Sequence, residues 1–255
     1  KFDRKQYFYP DLPKNYQISQ FDEPLAEEGW LEVEVAEKGK ETYLKKIGIE
    51  RLHMEEDAGK LVHAGSERLA GSKYSLVDYN RAGIALVEIV SKPDIRTGRE
   101  ASEYASEIRR TVRYLGVSDG NMQEGSLRCD VNISVRKGSE APFGTKVEIK
   151  NMNSFSAIQK ACEYEIKRQI EVYEKGERIF QETRLWDESK QITKSMRLKE
   201  GSSDYRYFPD PDLGPIEISK DLKQRWLEEI PELPSVKRKK YVNQFGLSVY
   251  DARVL

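Results

Sequence analysis

The feature that most restricts how this chain can fold is a strand-like segment, Ile47–Lys60, that ends in three consecutive carboxylates. Its apolar residues predict a strand, and Glu55, Glu56 and Asp57 then stand side by side, where their charges repel. A divalent cation would remove that cost, because hard cations bind several carboxylate oxygens at once. A solvent-exposed acidic turn is the alternative. The neighbouring His53 favours the cation site.

A second carboxylate, Glu88, interrupts the almost wholly apolar run from Gly83 to Val90. Such runs are typical of strands that are covered on both faces. An ionised carboxylate buried there costs several kcal/mol unless it is paired or binds a metal. The residues alone leave two interpretations open, a metal ligand and a buried ion pair with one of the many Arg and Lys residues.

The composition excludes several classes of protein. The 255 residues include 43 Lys and Arg against 44 Asp and Glu, a net charge of -1, so the chain lacks the overall basic field of a general nucleic-acid coat. No apolar run approaches the ~20 residues needed to cross a bilayer. Cys129 and Cys162 lie far apart without CxxC spacing. This pattern argues against a zinc site or disulfide framework and fits a reducing cytosol.

The order of helices and strands predicts an α+β fold with a mostly antiparallel sheet. Trp30–Val35 alternates with period two and forms a hairpin with the strand that ends in the acidic triplet. Thr97, with Glu100 three residues on, predicts the start of an amphipathic helix that ends at Gly116. Ser154 is the predicted N-cap of a second long helix, which runs to Gly176.

Further strands are expected between and after these helices. Ser126–Arg136 alternates apolar and polar residues most regularly, and Lys146–Asn151 repeats the pattern. Glu182–Trp186 and Gln191–Arg197 predict another hairpin. From Ser219 the chain reads as short capped helices. The sequence therefore predicts a core over residues 1–217 and the start of an all-α domain over residues 218–255.

Several long motifs occur in an order that resembles one known family, the GatB component of the aspartyl/glutamyl-tRNA(Asn/Gln) amidotransferases. The resemblance covers Lys1 to about Ile218 and extends into the helical part. The motifs are Leu52–Lys60, Tyr74–Gly83, Val87–Val90, Glu124–Asp130, Lys150–Phe155 and Asp204–Pro209.

The resemblance implies that the core is a cradle-shaped kinase domain. Proteins of this family use ATP and Mg2+ to phosphorylate the side-chain carboxylate of misacylated Glu-tRNA(Gln) or Asp-tRNA(Asn). Ammonia from the amidase subunit (A) then displaces the phosphate. The expected partners are that subunit, the small subunit (C) and the misacylated tRNA, with no membrane. The expected location is the cytoplasm of a bacterium, or an organellar matrix or stroma.

The resemblance also implies roles for individual residues. Glu56 and Glu88 match the family's metal ligands, with Glu55 a lower-ranked candidate, and we expect Glu56 and Glu88 to share one cation. Lys5 matches the polar lining of the ammonia passage. An earlier strand with a Glu and a His, expected to complete the metal site, would precede Lys1. The candidates for the nucleotide are Arg128, Lys150, Ser195, Arg197 and Arg206.

A competing hypothesis is a non-catalytic RNA-binding or assembly module, whose polar strand faces are only docking surfaces. It predicts no metal site near the acids. Under either hypothesis the near-neutral charge cannot supply strong general RNA binding. We expect tRNA affinity from the basic stretch Lys237–Lys240 and from sequence beyond Leu255. A solvated helix face is the alternative interpretation of that stretch.

Overall fold

The structure, a computed structural model, describes residues 1–37, 39, 41–63, 73–198 and 205–254. Its backbone contacts divide the chain into two compact units. The first unit comprises Lys1–Trp30, Gly48–Pro93 and Ser203–Ser219. The second comprises Leu31–Ile47, Asp94–Ser202 and Lys220–Leu255.

The sheet that carries the acidic residues is antiparallel throughout the pairings described. Its strands are β1 (Asp3–Gln6), β2 (Tyr16–Ser19), β3 (Ala26–Val35), β4 (Tyr43–Glu56), β7 (Ala85–Ser91) and β12 (Phe208–Pro209). The order is β12–β1–β2–β4–β3, and β7 also pairs with β4. The neighbouring positions of β3 and β4 confirm the predicted hairpin. A separate antiparallel pair joins β5 (Lys60–His63) to β6 (Ser75–Asp78).

In the described residues, the sheet of the second unit has four strands. They are β8 (Val131–Ile133), β9 (Val147–Lys150), β10 (Glu182–Asp187) and β11 (Ile192–Leu198), in the order β11–β10–β9–β8. The pair β9–β10 is parallel and the other two pairs are antiparallel. Val147 and Ile149 are fully buried, as their alternation predicts. The predicted hairpin over residues 182–197 is confirmed.

The prediction of a long strand over Ser126–Arg136 is wrong. Within the described part of the chain, only Val131–Ile133 of this segment pair with another strand, as β8. The partner strand limits the length of β8, because β9 has only four residues. The paired residues run from Val131 opposite Ile149 to Ile133 opposite Val147. Alternation gives the face of a residue, but the length of a strand depends on the strand beside it.

Two long helices pack together in the second unit, α1 (Gly98–Tyr114) and α2 (Phe155–Glu174). The hydroxyls of Thr97 and Ser154 accept the backbone N–H of Glu100 and Ala157, so both predicted caps are confirmed. A Cβ on Gly98 would lie 2.5 Å from the carbonyl oxygen of Gln159, so this close approach of α1 to α2 requires glycine. The helices and the four-stranded sheet enclose the larger apolar core.

Three helices follow, α3 (Lys220–Glu229), α4 (Pro234–Phe245) and α5 (Val249–Val254). They confirm the helical character expected after residue 218. Their backbone contacts group them with the second unit, and a separate domain beginning there stays a prediction. The fold is α+β, with mostly antiparallel pairing and two long helices, as predicted. Among the described residues, no helix is long and apolar enough to cross a membrane.

Candidate metal centre

The pairing of β4 with β7 brings two acids and a histidine to one face of the first unit's sheet. His53 lies directly opposite Glu88. Directly opposed residues point to the same face, and so do residues two apart on one strand. Glu55 therefore shares that face with both. One ligand atom from each of the three residues lies within 4.8 Å of the other two.

Hydrogen bonds fix the carboxylate of Glu55 within this cluster. Its Oε1 accepts the Ser19 hydroxyl at 2.9 Å and lies 3.2 Å from His53 Nε2. Its Oε2 accepts the Gln17 amide at 3.2 Å. The same His53 nitrogen is 3.8 Å from Glu88 Oε2. Side chains of the neighbouring strand β2 thus hold the Glu55 carboxylate in place. Glu88 contacts His53, which in turn contacts Glu55.

The environment keeps Glu55 ionised. Burial alone would raise its pKa, but the hydrogen bond from His53, the charge of Lys5 and the hydrogen bond from Ser19 together lower it below the usual value. A carboxylate of lowered pKa is a poor general base at neutral pH and a good ligand for a cation. Glu55 is therefore suited to bind a cation rather than to transfer a proton.

Glu56, which the sequence analysis ranked above Glu55, points away from this cluster. Lys14 Nζ lies 2.5 Å from its Oε1 and 2.7 Å from its Oε2, and the Ile18 backbone N–H donates to Oε1 at 2.9 Å. Consecutive strand residues face opposite sides of a sheet. The structure therefore does not bring Glu56 to Glu88. Glu55 lies beside Glu88, where we expected Glu56, and Glu56 forms an ion pair with Lys14; which of the two binds a metal stays a prediction.

The expected burial of Glu88 is not observed. Its side chain is 46% exposed, and none of the seven residues of β7 is buried among the described residues. An exposed carboxylate can stay ionised without a metal, so the cost of burial no longer supports a cation site. The support now comes from the geometry, in which two carboxylates lie close together beside one histidine.

The donor set fits a hard divalent cation. Mg2+ is commonly bound by one or two carboxylates while it keeps several waters, and Glu55 and Glu88 would supply two oxygen ligands. His53 is fully buried, and its Nδ1 has no hydrogen-bond partner in the described part of the chain. Its Nε2 faces both carboxylates, so in the tautomer that carries the hydrogen on Nδ1 this nitrogen is the third candidate ligand, whereas in the other tautomer it donates to Glu55.

Lys5 lies on the same face as this cluster. On β1, Asp3 is opposite Ser19, and Lys5 is two residues further along. Ser19 is in turn opposite Glu55. The ammonium of Lys5 is 4.9 Å from the centre of the Tyr205 ring. The structure thus brings Lys5 near Glu55, and its role in an ammonia passage stays a prediction.

The nucleotide candidates of the second unit lie on more than one face of its sheet. Arg206 belongs to the first unit and the other four to the second. Lys150 lies opposite Leu185, and Ser195 lies opposite Arg184. Because adjacent residues of β10 face opposite sides, Lys150 and Ser195 lie on opposite faces of the sheet.

The contacts of these candidates differ accordingly. Lys150 pairs with Asp130, and Ser195 donates to Glu182 at 2.5 Å. Arg128 is exposed. Arg197 lies opposite Thr183 on β11, and its side chain is outside the described residues. A nucleotide role for any of the five stays a prediction.

The sequence analysis counted His53 in favour of a cation site without naming it as a ligand, and it missed Lys14 as the partner of Glu56. A signal for the first was present, because His53 and Glu55 are two residues apart on a predicted strand and must share a face. Nothing in the sequence indicates the second pair, because Lys14 and Glu56 are 42 residues apart.

Comparison with known proteins shows which family the chain belongs to. Residues 1–224 match the family described as "GatB/GatE catalytic domain". Curated relatives named as the B component of aspartyl/glutamyl-tRNA(Asn/Gln) amidotransferase are 89% identical in Prochlorococcus marinus strain MIT 9515, 88% in Prochlorococcus marinus subsp. pastoris and 84% in Parasynechococcus marenigrum. All three matches cover the whole chain and 52% of the relative, so the chain spans about half their length. The chain belongs to the GatB/GatE catalytic-domain family.

Proposed function

We propose that this chain is part of an ATP-dependent enzyme that amidates misacylated Glu-tRNA(Gln), Asp-tRNA(Asn) or both. Its role would be to activate the side-chain carboxylate and pass it to ammonia. The observation that carries the proposal is the cluster of His53, Glu55 and Glu88. The family match and the names of the relatives support the reaction class.

The proposed chemistry has two steps. An oxygen of the substrate carboxylate attacks the γ-phosphorus of ATP, and the bond to ADP breaks, which gives an acyl phosphate. Neutral ammonia then attacks the acyl carbon, the bond to phosphate breaks, and hydrogen phosphate leaves with one ammonia proton. The product is the side-chain amide. The first step brings two negatively charged groups together, and the second develops negative charge on the acyl oxygen and the leaving phosphate, so catalysis depends on positioning and charge neutralisation.

The residues of the cluster would provide that charge neutralisation by binding a cation. Glu55 and Glu88 would hold Mg2+, with His53 Nε2 as a third ligand, and the bound ion would offset phosphate charge. Ser19 and Gln17 hold the Glu55 carboxylate in one orientation, so it is preorganised for binding. The lowered pKa keeps Glu55 ionised over the whole neutral range.

The proposed partners follow from the chemistry. Ammonia must come from an enzyme that hydrolyses glutamine, which we assign to an amidase subunit (A), with a small subunit (C) in the same complex. Lys5, on the cluster face, would line the route by which ammonia arrives. The substrates are charged tRNA and ATP, so the proposed location is the cytoplasm or an equivalent organellar compartment. The relatives' names favour this function over a non-catalytic RNA-binding module.

The test is amidation by the complete complex with Glu55→Gln or Glu88→Gln in this chain. Each variant should lose most amidation from both glutamine and ammonium, while the partner still hydrolyses glutamine. Glu50→Gln is the matched control, because Glu50 lies on the same strand with a 55% exposed side chain. Full amidation by the Glu88→Gln complex would reject the assignment of the cluster to the reaction.

A further inference from the structure

Arg51 adds a positive charge to the sheet face that carries the cluster of His53, Glu55 and Glu88. Arg51, His53 and Glu55 alternate along β4, so their side chains point to one face of the sheet. Arg51 lies opposite Val90 and His53 lies opposite Glu88, so the pairing of β4 with β7 is regular over this stretch. Residues two apart on a strand are about 6.8 Å apart. The backbone thus places Arg51 next to His53 on the cluster face.

An aromatic ring lies in contact with both the Arg51 guanidinium and the cluster. The Cζ atom of Arg51 is 4.5 Å from the centre of the Phe21 ring. The same ring meets the His53 imidazole edge to face, with 6.3 Å between the ring centres. Tyr207 stacks on Phe21 at 5.4 Å, with the two ring planes 16° apart. Phe21 is thus held by Tyr207 and in turn holds the guanidinium beside His53.

Most hydrogen-bond donors of Arg51 have no acceptor among the described residues. Its Nη1 lies 3.1 Å from Glu50, whose side chain is 55% exposed, and exposed ion pairs of this kind contribute little. Its Nε is buried and has no hydrogen-bond partner in the described part of the chain. A guanidinium carries five N–H donors. An acceptor from outside the chain would therefore satisfy donors that the fold leaves unpaired.

Two other arginines of the first unit are bound to acceptors of the protein itself. Arg4 Nε lies 2.7 Å from Asp210 Oδ2, and the Asp210 side chain is only 2% exposed. Arg81 Nε donates to the Ala58 carbonyl at 3.0 Å. Both guanidinium groups thus hold parts of the fold together. Arg51 packs against an aromatic ring instead, although its side chain is only 19% exposed. A largely buried charge without a buried partner indicates a ligand of opposite sign.

We propose that Arg51 binds the phosphate group that the proposed reaction transfers from ATP to the substrate carboxylate. Glu55 and Glu88 would balance the two charges of a bound Mg2+, so a phosphate at this ion needs a further cation, which Arg51 supplies. The planar guanidinium binds two phosphate oxygens at once, which fixes the orientation of the phosphate as well as offsetting its charge. Arg51 is thus a phosphate-binding residue of the cluster face.

The assignment of this phosphate to ATP rests on the proposed function. Phosphate binding by Arg51 can be measured without tRNA and without amidation, so the two hypotheses can fail separately. If phosphate binding depends on Arg51 while the complete complex does not amidate tRNA, the proposed function alone is rejected.

The first measurement is isothermal titration of the chain with tripolyphosphate, and separately with ATP, at saturating Mg2+. Arg51→Met keeps an apolar side chain against Phe21 but removes the charge, and it should weaken the binding of both ligands at least about tenfold. Arg51→Lys should restore only part of that affinity, because an ammonium lacks the planar fork. The matched control is Lys46→Met, which removes one positive charge from an exposed position on the same strand and should change the affinity less than about twofold.

The second measurement distinguishes phosphate binding from a purely structural role of Arg51. In titrations with Mn2+ alone, Arg51→Met should bind the ion at least as tightly as the unsubstituted chain, because the lost guanidinium repelled the cation. A variant that had lost the cluster by misfolding would instead bind Mn2+ more weakly. Equal tripolyphosphate affinity in Arg51→Met and Lys46→Met, no tripolyphosphate binding by the unsubstituted chain, or weaker Mn2+ binding by both Arg51 variants would overturn the proposal.

Discussion

Glu88 on β7 lies directly opposite His53 on β4, with Glu88 Oε2 3.8 Å from His53 Nε2. Glu55, two residues after His53, completes a group whose ligand atoms lie within 4.8 Å. The pairing of two strands far apart in sequence thus creates the site. It also separates two adjacent acids, because Glu55 faces the histidine and Glu56 faces Lys14.

The first prediction follows from this separation. Glu55→Gln and Glu88→Gln should each weaken binding of Mg2+, or of Mn2+ as its spectroscopic substitute, by at least about tenfold, because each removes a carboxylate ligand. Glu56→Gln should leave the affinity nearly unchanged, since Glu56 faces the other side. Isothermal titration of the chain without ATP is the measurement. A larger loss for Glu56→Gln than for Glu55→Gln would show that the ligand face is misassigned.

The second prediction concerns acid stability. The pKa of Glu55 is lower in the folded chain than the ~4.3 of an unfolded glutamate. A carboxyl group whose pKa is lower in the folded than in the unfolded chain stabilises the folded chain. That stabilisation is complete above the pKa of the unfolded chain and is lost as the pH falls through the pKa of the folded chain. Below about pH 4.3, the urea-unfolding free energy of the unsubstituted chain should therefore fall more steeply than that of Glu55→Gln. Equal slopes for the two proteins in that range would contradict the lowered pKa.

Much of the fold can be predicted from the sequence because the signals are local. Thr97 and Ser154 cap the two helices as their spacing predicts, since a capping hydroxyl needs only the backbone three residues ahead. The alternation of Val147 and Ile149 correctly gives the buried face of β9. Ser126–Arg136 shows the limit, because among the described residues three of this segment pair with a neighbouring strand and the others do not, although the whole segment alternates.

The site was only partly predictable, because it depends on register. The sequence marks an acidic strand end and a lone glutamate, and both belong to the site. Which of Glu55 and Glu56 faces Glu88 depends on how β4 pairs with β7, and a shift of one residue would exchange them. The exposure of Glu88 was missed for a related reason. An apolar run in a strand is buried only if other elements cover both faces of the sheet. The composition of the run does not show whether such elements are present.

The third prediction concerns the buried charge network that ties α2 to the second unit's sheet. Glu165 is fully buried; its Oε1 accepts from Arg168 at 2.5 Å and from Gln169 at 3.0 Å, and its Oε2 accepts from Thr193 at 2.8 Å. Removing one partner of a buried pair leaves an uncompensated charge, at a cost of about 3–5 kcal/mol. Glu165→Ala should lower the unfolding free energy by about that amount.

The matched control for this prediction is Glu171→Ala on the same helix. Glu171 has a 51% exposed side chain and lies 3.9 Å from Lys167. Exposed pairs of this kind contribute ~0.3–0.5 kcal/mol, so the change in urea-unfolding free energy should be small. If the two alanine variants lost similar stability, the buried network would not be a principal link between α2 and the sheet.

The fourth prediction is that this chain does not hydrolyse glutamine through either of its cysteines. Burial, followed by the charge of Asp130, raises the pKa of Cys129 to about 12, and burial also raises the pKa of Cys162 to about 12. At neutral pH, only about one thiol in 10⁵ would then be ionised, and the thiolate is the nucleophile. Both residues pack with the apolar core of the second unit. We therefore expect both to be structural.

Two measurements check this expectation. Both thiols should resist alkylation in the native chain at neutral pH and react fully in denaturant. The purified chain should release no glutamate from glutamine, whereas in the complete complex Cys129→Ser and Cys162→Ser should leave glutamine hydrolysis intact, because the ammonia comes from the partner. Rapid alkylation of either native thiol, or glutaminase activity that the chain loses with Cys129→Ser or Cys162→Ser, would show that the burial of the thiols does not suppress their reactivity.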